Sequence, residues 1–235
     1  MLFRSLANVI DFDGLNTCYK DVYQSVGTPG TTPSSNLTYL QGGAKLTNAA
    51  APADGRMAVL DPVSMVTLAN ANLALFNPSA QIAEEYRSGQ FASRALGFEE
   101  WYEDANVAKH TTGSFTSSTP LVNGASQTGS SLVTDGWASG ATSLKKGDVF
   151  TIAGVFAVNP VSYSSTGELQ QFVVTADCSD SSGAMTISIS PSIITSGQLQ
   201  TVTASPADNA AISVVGASGG ALSATDRKST RLNSS

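Results

Sequence analysis

The chain reads as an α+β protein in two parts, a mixed helical region followed by an antiparallel β-barrel or sandwich. Three observations predict this. Apolar residues recur at helical spacing through the first hundred positions. The composition shifts at "HTTGSFTSSTP", 110–120. Beyond that stretch the period becomes two, and turn clusters recur every ten or so residues.

Leu2, Phe3, Leu6, Val9 and Ile10, then Cys18, Tyr19, Val22, Tyr23 and Val26, follow three- and four-residue spacing. They predict an amphipathic helix, interrupted near Gly14 and stopped by "GTPGTTP" at 27–33. Ser35 caps a second helix carrying Leu37, Leu40 and Leu46, which ends before "AAAPADG" at 49–55. "RMAVLD" at 56–61 predicts a short buried strand. Asp61 and Pro62 open a third helix, its apolar side holding Val63, Met65, Val66, Leu68, Leu73 and Leu75. A fourth helix spans 77–89 and closes at Gly89, and 94–104 predicts a strand.

In the second part Val149, Phe150 and Ile152 predict one strand, and Phe156 with Val158 the next. Strands follow at 169–176, 185–190, 199–204 and 211–216. In "MTISIS" the apolar Met185, Ile187 and Ile189 alternate with Thr186, Ser188 and Ser190, one face dry and one wet. Strands this short persist when a closed or stacked sheet removes their edges.

Apolar residues make up 41% of the 235, but charged residues only 13%, about half the usual share. A weakly charged surface suits a subunit covered by its neighbours. The net charge of −6 argues against a protein that grips phosphates. The first residues carry too short an apolar run for a signal peptide, and no stretch reaches membrane-spanning length. Cys18 and Cys178 then read as reduced thiols, and the Asn36 sequon has no compartment in which to be glycosylated.

The last ten residues, "DRKSTRLNSS", hold Arg227, Lys228 and Arg231, whereas 115–225 has only Lys145 and Lys146 as basic residues. The decapeptide resembles the reading-frame translation of a common short-read sequencing adapter, so 226–235 is set aside as an artefact. Without it the chain has 9 basic and 17 acidic residues, net −8. A natural reading frame is expected to continue past Thr225, and Met1 reads equally as an internal methionine.

Chemistry-bearing residues are sparse. His110 is the single histidine and has no Cys-x-x-Cys beside it, so no metal site is expected. "GASGG" at 216–220 fits the G-x-S-x-G pattern at Ser218, but a Gly/Ser loop surrounds it and no histidine follows. Glu84-Glu85, Glu99-Glu100 and Glu103-Asp104 are the adjacent acidic pairs; the first reads as a solvated helix face, the others as subunit contacts beside Trp101 and Tyr102. Lys145-Lys146 reads as a solvated turn, or a register-fixing charge beside an acidic neighbour. "VNGASQTGSS" at 122–131 lacks the Lys-Ser/Thr of a phosphate loop. The expectation is no catalytic, cofactor-binding or metal site, no cofactor, and no enzyme.

The order of several stretches carries a resemblance. "SLANVIDFDGL" (5–15) leads to "APADGRMAVLDPVSM" (51–65), the run 75–113, "LVNGASQTGSSLVTDGW" (121–137), "LKKGDVFTIAGVFAVNP" (144–160) and "LQQFVVTAD" (169–177). In these it resembles the major capsid protein of tailed double-stranded DNA phages, of the podovirus gene-five coat type. The resemblance implies a partial tailed-phage capsid fold over 1–116, with a peripheral helix and an axial-domain segment. It implies an inserted antiparallel β-barrel at 117–205 and a return to the axial domain over 206–225. On this resemblance the family's N-terminal arm and extended loop, and most of its axial and peripheral segments after the insertion, are expected to lie outside this sequence. The implied function is a structural subunit that assembles with copies of itself into an icosahedral shell in the host cytoplasm. Scaffolding protein and portal are implied partners, packaged DNA is touched non-specifically, and no membrane is involved. The alternative is a secreted or surface binding module with an Ig-like β-sandwich.

Overall fold

The computed structural model describes residues 2–27, 31–71, 95–107, 109–115 and 119–223. The described residues fall into two compact units, one of 2–15, 25–27, 31–71, 95–107, 109 and 223, the other of 16–24, 110–115 and 119–222.

In the first unit, α1 (Leu2–Tyr19) runs unbroken through Gly14, continues into the second unit and ends short of the predicted Val26. The helix α2 (Asn36–Asn48) starts where Ser35 caps it, the Ser35 Oγ accepting the Leu37 N–H at 3.2 Å. Its buried face differs from the predicted one. Leu37 and Leu40 are exposed, and Tyr39, Gly42, Gly43 and Leu46 turn inward. These four lie at i, i+3, i+4 and i+7, which is a better helical stripe than the leucines offered.

Arg56 is buried just after the C-terminal end of α2. Its guanidinium donates to the carbonyls of Pro52 (2.7 Å), Ala51 (2.9 Å) and Gly43 (3.3 Å), and to Thr47 Oγ1 (3.1 Å). The guanidinium thus ties the loop carbonyls at 51 and 52 to the last turns of α2, and a cation near that C-terminal end complements the helix dipole.

The predicted strand at 56–61 is β1 (Met57–Leu60), and α3 (Pro62–Ala71) follows from Pro62. Met65, Leu68 and Ser64 are buried on α3, whereas Val63 and Val66 face outward. Leu73, Leu75 and the helix expected at 77–89 lie outside the described residues. The predicted strand at 94–104 narrows to β2 (Glu100–Glu103), which pairs in parallel with β1, Ala58 opposite Trp101. Trp101 meets Tyr39 and Phe98 edge-on at 5.5 and 5.3 Å, joining two small cores.

Apart from the end residues Lys109 and Ser223, the second unit holds β3 (Lys109–Thr111), β4 (Leu121–Val122), β5 (Gly129–Asp135), β6 (Ser143–Leu144), β7 (Val149–Val158), β8 (Ser165–Val174), β9 (Cys178–Ser179), β10 (Met185–Ile193), β11 (Ile212–Val214) and β12 (Ala221–Ser223). Six of them form one antiparallel sheet in the order β11-β7-β8-β10-β5-β4. The sheet nearly closes on itself. Leu121 also bridges to Ala211, with Val122 N–H to Ala210 O at 3.0 Å and Ile212 N–H to Pro120 O at 2.9 Å. One face of each strand fills a single core around the stacked Phe150–Phe172 pair. Phe150, Ile152, Phe172, Val174, Ile187 and Ile189 all point into it, as their alternation predicts.

Three strand assignments change. The predicted break after Ile152 is a bulge inside one continuous β7. Thr151 pairs with Gln171 and Phe156 with Leu169, so extra residues loop out around Gly154, which adopts φ +79°. The segment 199–204 is not a strand; only an isolated Ala157–Val202 bridge remains, and Thr201 Oγ1 ties the chain back to Ser192 O and Ile194 N–H. The strand β5 was not expected. Its inward residues are Leu132 and Thr134, so it carries too little apolar signal to stand out. Among the described residues no helix is long and apolar enough to cross a membrane.

Candidate functional site

The polar centre of the second unit is built around the turn Lys145–Asp148. The Asp148 N–H closes it onto Lys145 O (2.9 Å), and Gly147 takes a left-handed φ of +101°. The turn then locks to the end of β8, Gly147 N–H donating to Val174 O and Val174 N–H to Asp148 O, both at 2.8 Å. This geometry drives the Asp148 carboxylate inward, where it has no exposure.

A buried carboxylate is costly unless every oxygen is matched. Asp148 Oδ1 lies 2.7 Å from His110 Nε2, while Oδ2 accepts the N–H groups of Gly113 (3.0 Å) and Lys145 (2.8 Å). His110 is itself buried, at the start of the unit in β3. Glycine is required at 113, since a Cβ there would sit 2.0 Å from Ser143 O. Lys146 Nζ pairs with Asp21 at 2.9 Å, and its N–H donates to Asp177 Oδ1 at 2.7 Å. The single histidine is therefore half of a structural knot, and Lys146 is held in an ion pair.

The G-x-S-x-G match resolves into a crossing of strands. Thr112 N–H donates to Gly220 O (3.0 Å), Thr112 Oγ1 to Ala217 O (2.6 Å), and Gly219 N–H to Gly113 O (2.9 Å). Ser218 Oγ accepts the Phe115 N–H at 2.8 Å. Ser218 lies between β11 and β12 with no helix after it, so the strand-to-helix elbow that activates such a serine is absent. The same loop fastens the incoming chain at 112–115 to the outgoing chain at 217–220.

The acidic residues cap turns. Glu99 Oε2 accepts Gly55 N–H (2.9 Å), Glu100 accepts the Tyr102 hydroxyl, and Asp104 Oδ1 accepts Asn106 N–H (2.8 Å). Glu84 and Glu85 lie outside the described residues. Asp180 accepts N–H bonds from Gly140, Thr142 and Gly183, which hold its carboxyl below the usual range. Cys178 is half-buried, and burial pushes its thiol up to about 11. Among the described residues no three metal-capable side chains gather. Apolar and aromatic side chains stand exposed on the barrel: Phe156, Leu169, Val161 and Tyr163 along the β7–β8 hairpin, with Val133 and Leu199.

Of the polar residues at this centre, Asp148 escaped the sequence reading. Its only local cue was its place directly after Lys-Lys-Gly and before an apolar strand.

A family model described as "P22 coat protein - gene protein 5" matches residues 22–234. The chain belongs to this coat protein family. As a P22-type coat protein it is a structural subunit of a phage capsid, and the family implies self-assembly into the capsid shell of the virion. The match runs into the decapeptide 226–235, which lies outside the described residues. A solved structure titled "CUS-3 coat protein I-domain" is similar at 26% identity and a TM-score of 0.31, over 43% of this chain and 99% of that one. No curated protein matches the chain. In a coat protein, the Asp148 knot and the 216–220 crossing serve to hold a shape.

Proposed function

We propose that this P22-type coat protein builds an icosahedral shell, with the first part of the chain supplying peripheral and axial segments, an inserted barrel that runs on through β11, and a return to the axial domain after it. The family match over 22–234 carries the reading. The compact grouping of 110–222 and the nearly closed sheet within it support an inserted module. So does the pairing of β3 with β12, which sets the incoming and outgoing strands side by side.

In this reading the knot and the 112–115/217–220 crossing keep the barrel's root fixed while copies bind through neutral, partly apolar surface. Scaffolding protein and portal are partners during assembly in the host cytoplasm. The acidic balance lets packaged DNA lie inside without being clamped. No reaction is catalysed, and residues 226–235 are translated adapter. Nothing in the fold or the comparisons favours the Ig-like binding module. Coexpression of the coat polypeptide with its scaffolding protein, followed by electron microscopy for closed shells, tests the proposal.

A further inference from the structure

Asn123 and Gly124 open the loop between β4 and β5 and form the single Asn-Gly pair of the chain. Asn123 is exposed, and Gly124 has φ +98° with nothing within 4 Å of where a Cβ would stand. An asparagine followed by an unhindered glycine is the sequence in which the backbone most readily attacks the preceding side chain. We propose that Asn123–Gly124 is a succinimide-forming modification site at the seam of the barrel, held in check by Asp208.

The chemistry needs only water and a solvent base. The Gly124 nitrogen loses its proton and bonds to Asn123 Cγ; the Cγ–Nδ2 bond breaks and ammonia departs. Water then opens either C–N bond of the five-membered imide, leaving aspartate or isoaspartate at 123.

Asp208 opposes the first step. Its Oδ1 accepts the Gly124 N–H at 2.9 Å, and its Oδ2 is held by Asn209 Nδ2 at 3.0 Å. The nitrogen cannot turn toward Cγ while that bond stands, and the carboxylate charge disfavours the amide anion that must form. The other side of the peptide is fixed too, Asn123 O accepting Gln127 Nε2 at 2.8 Å and Asn123 N–H donating to Val133 O at 3.0 Å.

The product matters because of its place. Val122 is fully buried, its N–H donates to Ala210 O, and its carbonyl accepts Asn209 N–H at 2.9 Å. Those bonds close the sheet. Isoaspartate inserts a backbone methylene next to them, and either product adds a negative charge facing Asp208. The seam loosens.

The test uses the full folded chain at mildly alkaline pH, with peptide mass mapping and enzymatic isoaspartate labelling at position 123. Asp208→Ala is expected to convert about tenfold faster than wild type, the factor that corresponds to ~1.4 kcal/mol of lost restraint. Asp208→Asn, which keeps an acceptor but not the charge, is expected to be faster than wild type as well. Asn123→Gln is expected to yield no product at 123. Amide exchange at Val122 and Ile212 verifies that each variant is folded before conversion and reports loosening after it. Equal rates in wild type and both Asp208 variants would overturn the proposal. So would unmodified Asn123 in folded Asp208→Ala over a period in which urea-unfolded chain converts.

Discussion

Replacing Asp148 by alanine removes three acceptor contacts at once. His110 Nε2 and the Gly113 N–H lose their partner in a buried site, while the Lys145 N–H lies at the edge and water replaces the carboxylate there. Each buried donor left unmatched costs about 1–3 kcal/mol, so the two buried ones together cost about 2–6 kcal/mol. Against a usual domain stability of about 5–15 kcal/mol, that is a large share. Asp148→Asn keeps the shape. Its amide oxygen can accept from Gly113 and Lys145 while its NH2 stays within reach of His110 Nε2, so the loss should be less than half that of alanine. Because two compact units do not promise a single transition, the readout is local. Native-state amide exchange across β7 and β8, followed against denaturant, gives the opening free energy of the barrel. The expected order is wild type above Asp148→Asn above Asp148→Ala. Barrel amides as protected in Asp148→Ala as in wild type would refute the argument that this carboxylate holds the turn.

Three further outcomes follow from the same structure. Ile187→Asp should unfold the barrel, since Ile187 is fully buried opposite Leu132 and an unpaired buried carboxylate costs several kcal/mol; exposed Thr186→Asp should stay within about 1 kcal/mol of wild type, and equal tolerance at both sites by thermal melting would mean the strand faces are misassigned. Because Asp180 has a depressed pKa, its contribution is intact above the range where a free aspartate titrates and is lost as the pH falls below about 4. Exchange at Gly140, Thr142 and Gly183 should rise there, and Asp180→Asn should remove that dependence; the same acid response in the variant would place its origin elsewhere. Resequencing the gene past codon 225 should replace "DRKSTRLNSS" with a different continuing frame, and recovery of the same ten codons from independent template would end the adapter reading.

Much of this was legible because it is local. Ser35 announces α2 through a bond two residues away, and the alternation in 185–190 fixes which face of β10 is dry. What was missed depends on partners far along the chain. Thr134 is buried in β5 because its hydroxyl donates to Met185 O and accepts from Trp137 Nε1, so a polar residue occupies a core position without an apolar cue. Gly154 reads as a strand end, yet opposite β8 it is a bulge that lets β7 continue. Leu37, Leu40 and Leu46 look like the core stripe of α2, but of the three Leu46 alone faces inward, beside Tyr39 and the two glycines. The His110–Asp148 pair joins residues 38 apart, and nothing in either neighbourhood announces the other.

The most direct test of the central claim is assembly itself. The coat polypeptide carrying this sequence, coexpressed with the scaffolding protein proposed as its partner, is expected to give closed shells by electron microscopy. Moderate salt should leave them intact if copies meet, as proposed, through apolar and neutral-polar surface and not through long-range charge pairs. Ser218→Ala should assemble as wild type does, because Ser218 Oγ contributes one hydrogen bond, from the Phe115 N–H, to a crossing that backbone bonds also hold. A soluble monomer at every concentration, with a hydrolytic turnover lost in Ser218→Ala, would contradict the account.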